Sequence, residues 1–227
     1  MRDGYITAEL TINGLPVRAE YTESSVKSIF QPLLADLRRK VADLRAEGAA
    51  RPLIVFLAAP PGAGKSTLAC FLEQLAEQAE SGKAAEIGTG DQTASGASAS
   101  VDNGGEKCSF QTLGLDGFHH TAAYLKSTKG MYSWECAPHE VLLQSVKGAP
   151  ESYDTALFAE KLRAVRNEDG TPVFWPAYDR QLHDVVPDRI PVTGDILLIE
   201  GNWLLLNESP WKEITEECAD ETIFIRA

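Results

Sequence analysis

The residues best suited to chemistry lie in one short run, Ala59-Pro60-Pro61-Gly62-Ala63-Gly64-Lys65-Ser66-Thr67. Gly62 and Gly64 let backbone N–H groups turn toward an anion with no Cβ in the way. Lys65 brings a compact positive charge to the outer phosphates of a nucleotide. The Ser66 hydroxyl is a hard oxygen ligand suited to Mg²⁺. With Pro61, Ala63 and Thr67 these residues make a phosphate-binding loop of the Walker A pattern. A helix opening directly after the loop adds unpaired N–H donors and positive potential. A ligand-free glycine turn would explain the glycines, but not the lysine and serine directly after them. The first glycine of the usual pattern is Ala59 here, a mild change that restricts the backbone.

Two carboxylates complete the chemistry. Asp116 follows the expected strand Phe110–Leu115, in Leu113-Gly114-Leu115-Asp116-Gly117-Phe118-His119. A carboxylate there can accept the proton of an alcohol as a phosphoryl bond forms. Phe118 and His119 are expected to wall the pocket for that alcohol. Glu200 ends the run Ile196–Ile199, on the sheet edge where ligands bind in open α/β folds. It can hold Mg²⁺ through water or orient the attacking group. The Gly201-Asn202 turn after it puts Asn202 on the acceptor side. Taken alone, an Asp-Gly pair is an ordinary turn and a strand-end glutamate can be a helix cap. Together with the lysine loop they point to phosphoryl transfer. His120 and His183 read as surface or core histidines. No Asn-Lys-x-Asp guanine reader, Leu-Ser-Gly-Gly signature or strand ending in Asp-Glu is present, which sets aside GTPases, transporter ATPases and motor-type ATPases.

The elements that must position these groups are visible as periodicities. Leu53–Ala58 is apolar throughout, as in a strand buried on both faces of a parallel sheet. The spacing of Leu68, Leu72, Leu75 and Ala79 predicts a helix over 65–80. A strand is expected at 110–115, and further strands buried on both faces at 196–199 and 222–225. A helix is expected around Tyr124, and another over 155–167 with Asp154 as N-cap. The four prolines at 172, 176, 187 and 191 predict a mostly irregular stretch over 170–191. Before the phosphate loop, alternation over 5–21 interrupted by Asn13-Gly14 predicts a β-hairpin. Spacings of three and four from Val26 to Leu44 predict a helix over 24–47, kinked or delayed by Pro32 and stopped at Gly48. Strands alternating with helices define an α/β fold: a three-layer P-loop NTPase architecture, a Rossmann-like parallel sheet with helices on both faces, preceded by the hairpin and helix.

The chain divides into an N-terminal hairpin–helix extension over 1–50 and a P-loop domain over 51–227. Residues 81–107, rich in Gly, Ser, Ala and Thr, read as a flexible insertion, because they bury too little apolar area to offset the entropy of ordering. The extension is expected to cover a sheet edge or to form a homodimer contact.

Of the 227 residues, 44% are hydrophobic and 24% charged, with a net charge of -12 and a pI near 4.8. An acidic surface repels nucleic acid and anionic membranes, so neither is an expected partner. The polar N-terminus resembles no signal peptide, and no apolar run reaches the length of a membrane helix. Cys70, Cys108, Cys136 and Cys218 have no metal-site spacing and read as the reduced thiols of a cytoplasmic protein.

Five segments occur in order: APPGAGKST, LDGFH, KGAPESYD, FWPAYDR and LLIEGNWLLL. As a set they resemble the phosphoribulokinase/uridine kinase family of P-loop kinases, in particular bacterial nucleoside/nucleotide kinase-like and fructose kinase-like proteins, and more distantly uridine kinase and the bacterial type of pantothenate kinase. The likeness covers roughly residues 52–226 and implies a kinase fold using ATP and Mg²⁺. It implies that Asp116 is the catalytic base, that Lys65 and Ser66 hold phosphates and metal, and that Glu200 lies near the metal. Tyr178 and Arg180 would sit in the acceptor-side loop, with Lys147 and Asp154 at its entrance. The sequence departs from the family at Ala59, in a long stretch between His119 and Lys147, and in ending before the expected arginine-bearing lid. The expected function is an ATP-dependent kinase acting on a hydroxyl of a small metabolite, a sugar or nucleoside. The alternatives are a non-catalytic nucleotide-binding module and a simple P-loop NTPase.

Overall fold

The computed structural model describes residues 3–12, 14–80, 107–134, 137–167 and 169–226. The expected turn residue Asn13, nearly all of the expected insertion (81–106) and Cys136 lie outside the described residues. The chain opens with the antiparallel hairpin of β1 (Tyr5–Ile12) and β2 (Leu15–Thr22). A helical segment follows, made of a short α1 (Glu23–Ser25), a π-helical turn (Val26–Phe30) and α2 (Gln31–Ala46). The wide turn sits directly before Pro32. A proline crowds the carbonyl four residues back, and the chain answers with a five-residue bond from Gln31 N–H to the Val26 carbonyl. Gly48, at φ +89°, ends the helix as expected.

A parallel four-stranded sheet carries the rest, in the order β10-β3-β9-β4. Its strands are β3 (Leu53–Ala58), β4 (Phe110–Gly114), β9 (Ile196–Gly201) and β10 (Glu221–Phe224). The helix α3 (Lys65–Glu80) follows β3, and the short α4 (Ala122–Ser127) follows β4. Two antiparallel hairpins are inserted before β9: β5 (Lys129–Trp134) with β6 (Ala137–Leu142), and β7 (Phe174–Asp179) with β8 (Asp184–Pro191). Between them lies α5 (Thr155–Arg166), capped by Asp154, whose carboxylate accepts the Leu157 N–H at 2.9 Å. Between β9 and β10 lies α6 (Trp211–Cys218).

Alternation along the central strands feeds two cores. Leu53, Val55, Leu57, Ile196 and Leu198 face α2, α3 and the N-terminal hairpin. Ile54, Phe56, Ala58, Leu197 and Ile199 face α5, α6 and Trp175. Burying each of the Leu, Ile, Val and Phe side chains contributes about 1.5–3 kcal/mol. The N-terminal hairpin and helix therefore share a core with one face of the sheet.

Two expectations are corrected. The stretch 170–191 is not irregular, because β7 and β8 pair across most of it. Its prolines fit because an isolated two-stranded hairpin leaves outer N–H positions unused, and Pro176 falls at a register shift between Trp175 and Ala177. The last strand is not buried on both faces. It is the sheet edge, with alternate residues exposed. Among the described residues, no helix is long and apolar enough to cross a membrane.

Candidate active site

The phosphate loop leaves the C-terminal end of β3 and enters α3. Gly62 and Gly64 both hold left-handed conformations, at φ +80° and +81°. A side chain would strain either position, which is why glycine stands there. Ala59 is almost fully buried and does not adopt a left-handed φ, so alanine is tolerated where the pattern has glycine. The Gly64 carbonyl accepts the Leu68 N–H at 2.9 Å and starts the helix. That leaves the N–H groups of the first helical turn facing the loop.

Beside the loop, the Ser66 hydroxyl donates to Glu200 Oε1 at 2.9 Å, and Lys65 Nζ lies 4.0 Å from Glu200 Oε2. Adjacent parallel strands place them together, since β3 and β9 pair from Leu53↔Ile196 to Ala58↔Gly201. Burial pushes the Glu200 carboxyl above its ordinary pKa, and the Asp116 charge adds to this, while Ser66 and Lys65 act against it. Gly114 of β4 borders the same carboxylate: a Cβ there would lie 3.7 Å from Oε1. The loop borders a cleft of about 340 Å³ lined by Gly62, Gly64, Lys65, Ser66, Thr67 and Arg180, together with three residues of the N-terminal hairpin.

A second cleft, of about 310 Å³, is lined by Asp116, His119, Lys147, Tyr178, Arg180 and His183. Arg180 borders both clefts. Asp116 is exposed on a 3₁₀ turn, Leu115–Phe118, that directly follows β4. The turn is held close to β7. A Cβ on Gly117 would lie 2.1 Å from the Pro176 carbonyl oxygen, and Trp175 Nε1 donates to the Gly114 carbonyl at 2.9 Å. The β7–β8 turn that carries Arg180 is fixed by Asp179, whose carboxylate accepts the Gln181 and Leu182 N–H groups at 2.8 and 3.0 Å. Lys147 donates to the Tyr178 hydroxyl at 2.8 Å. His119 stacks on Tyr153 with ring centroids 4.0 Å apart. Burial lowers its pKa, opposed by the Asp116 charge and a contact to the Ser152 carbonyl.

The sequence-predicted residues divide as follows. Gly62, Gly64, Lys65, Ser66 and Thr67 line the first cleft, with Pro61 directly before them and Ala63 between the two glycines. Asp116, His119, Tyr178 and Arg180 line the second, as does Lys147. Phe118 does not. It is fully buried among Phe158 and Trp175, because the 3₁₀ turn points it into the core. Asn202 lines neither cleft, and its Oδ1 is buried without a hydrogen-bond partner. Asp154 caps α5, as its N-cap reading expected, and its other carboxylate oxygen lies 4.0 Å from His120 Nδ1. His183 was read as a bystander, yet it lines the second cleft from a left-handed turn position, φ +52°. The aliphatic tip of the N-terminal hairpin on the first cleft was also missed.

The oxygen donors beside the loop suit Mg²⁺. Ser66 and Glu200 are hard ligands, and no group of three or more His, Cys, Asp or Glu residues is gathered for a metal among the described residues. Mg²⁺ commonly takes one or two protein oxygens and completes its shell with water and phosphate, so the residues fit the ion.

A parallel sheet with a lysine-bearing phosphate loop after a buried central strand is the architecture of the P-loop kinases. The comparisons with known proteins agree. The chain is 38% identical over 219 residues to the Escherichia coli K12 protein YggC, covering 96% of this chain and 73% of YggC. It is 25% identical over 163 residues to a Schizosaccharomyces pombe protein named "putative uridine kinase C227.14", covering 71% of this chain and 55% of that one. Among solved structures, a "putative fructose transport system kinase" from Silicibacter sp. TM1040 superposes with a TM-score of 0.56 at 22% identity, over 86% of this chain and 74% of that one. No family model matches the chain. The chain belongs to the phosphoribulokinase/uridine kinase-like family of P-loop kinases.

Proposed function

We propose that this chain is an ATP-dependent small-molecule kinase that transfers the γ-phosphoryl group to a hydroxyl of a sugar or nucleoside. The observation that carries the reading is the meeting of two clefts at Arg180, one holding the phosphate-loop lysine and serine and the other the exposed Asp116. Two adjoining clefts suit a donor and an acceptor that must meet in line.

In this reading the loop N–H groups and Lys65 hold the β- and γ-phosphates. Ser66 and Glu200 would hold Mg²⁺, which when bound neutralises charge between the outer phosphates. The acceptor lies among His119, Lys147, Tyr178 and His183. Its hydroxyl oxygen attacks the γ-phosphorus, Asp116 takes the proton, and ADP leaves. Arg180, bordering both clefts, stabilises charge on the group in transit. The choice of sugar or nucleoside rests on the names and family of the relatives. The resemblance also keeps pantothenate in the test.

The experiment is coupled ADP release with Mg·ATP against a panel of sugars, nucleosides and pantothenate, with Asp116→Asn and Lys65→Ala beside the wild type. Stimulation by one acceptor, absent in both variants, is the expected result. ADP release that ignores every acceptor would make the chain a simple NTPase. ATP binding without turnover would make it a nucleotide-binding module.

A further inference from the structure

One face of the β1–β2 hairpin is apolar along its whole length. Its cross-strand pairs are Ile6↔Tyr21, Ala8↔Ala19, Leu10↔Val17 and Ile12↔Leu15. Toward the root the core consumes this face. Ala8, Leu10 and Ala19 are buried, and the Tyr21 ring lies 4.4 Å from that of Phe71 on α3. Toward the tip the same face continues past that packing. Ile12, Leu15 and Val17 there line the cleft shared with Gly62, Gly64, Lys65, Ser66 and Thr67. Leu15 is 57% exposed.

A single exposed leucine carries no message. Three aliphatic side chains converging on the wall of a phosphate site do, because a polyphosphate gains nothing from them. Pressing a phosphate against aliphatic surface strips its water without replacing the hydrogen bonds. The part of a ligand that lies against this wall is therefore apolar. In a nucleoside triphosphate that part is the face of the heterocycle.

We propose that the N-terminal hairpin is the base-binding wall of the nucleotide site: Ile12, Leu15 and Val17 pack against the face of the base while the loop holds the phosphates. The proposal rests on the phosphate-loop reading above and adds to it a second element, remote in sequence, that grips the opposite end of the ligand.

The test is calorimetric binding of Mg·ATP and of Mg·tripolyphosphate to the full chain, in the wild type and in the double variant Leu15→Ala/Val17→Ala. The wild type is expected to prefer ATP. The variant is expected to lose about five- to tenfold in ATP affinity, the scale of losing one side chain's apolar contact, with tripolyphosphate affinity unchanged. Leu15→Met, which keeps the apolar surface, is expected to bind ATP as the wild type does. Unchanged ATP affinity in the double variant overturns the proposal. So does a parallel fall for both ligands, which would place the damage at the loop. A wild type that binds tripolyphosphate as tightly as ATP sinks the hairpin's role alone. A wild type that binds neither sinks the phosphate-loop reading and the hairpin's role with it.

Discussion

The two clefts meet at Arg180 but are built in opposite ways. The phosphate-holding part of the first cleft comes from one contiguous loop whose shape two left-handed glycines fix, with the hairpin tip and Arg180 at its borders. The second cleft is side chain, assembled from the turn after β4, the segment before α5 and the β7–β8 turn. A main-chain site needs only its local fold. A side-chain site needs every tertiary contact that aims its members, here the approach of Gly117 to Pro176, the Trp175 bond to Gly114 and the Asp179 turn. The first should therefore resist remote substitution, and the second should fail when its scaffold shifts.

The largest effect expected from this contrast separates binding from transfer. Asp116→Asn keeps the shape but removes the carboxylate proposed to accept the proton. It should lower kcat by about 10²–10⁴-fold, the usual share of a general base, with ATP affinity unchanged. Lys65→Ala should instead weaken ATP binding by about 10–100-fold, the worth of one charge-assisted contact. Titration calorimetry beside steady-state kinetics checks both. An Asp116→Asn chain that loses ATP affinity as well would break the division between the clefts.

The same contrast governs what the sequence disclosed. The phosphate loop is contiguous, so its residues, its preceding strand and the helix 65–80 were all legible. Glu200 and Asp116 stood out because each follows a segment whose pattern reads as a strand of the sheet. Phe118 was misplaced because the sequence does not say which way a 3₁₀ turn rotates its last residue, and the core claimed it. His183 was missed because the prolines around it read as irregular chain. The β-branched Val185, Val186 and Ile190 flanking the turn were the available signal. The hairpin at 5–22 was evident from alternation, but where its tip lands depends on Tyr21 packing against Phe71, a contact 50 residues apart in sequence.

A smaller effect should come from Gly117→Ala, next to Asp116 and packed against β7 rather than against the phosphate loop. The new Cβ meets backbone at the Pro176 carbonyl, which no rotamer change can relieve. Overpacking of this kind costs about 1–3 kcal/mol, and it should push β7 away from the Asp116 turn. The expected result is a lower urea midpoint, a raised acceptor KM and ATP affinity near the wild-type value. Equal damage to ATP and acceptor binding would show the clefts to be one mechanical unit.

The smallest effect is the share of the pH dependence that comes from His119 in the second cleft. Burial holds the His119 pKa below its ordinary value of 6.5. Above that value both folded and unfolded chains carry the neutral ring, and the histidine imposes no penalty. Between 6.5 and the lower folded value only the unfolded chain takes up the proton, so stability falls as pH falls through this window. The carboxyls of Glu73 and Glu200, which burial pushes up, act in the opposite sense. The share of His119 is therefore the difference between the wild type and His119→Gln, read as urea midpoints at pH 8 and pH 5.5. The wild type should lose more stability on acidification than His119→Gln. In Asp116→Asn the loss should deepen, because the Asp116 charge holds up both the imidazole pKa and the Glu200 carboxyl pKa, and its removal acts in the same sense through each. Identical pH profiles in all three chains would mean that His119 is not desolvated by its stack on Tyr153, and that the second cleft is wetter than its geometry implies.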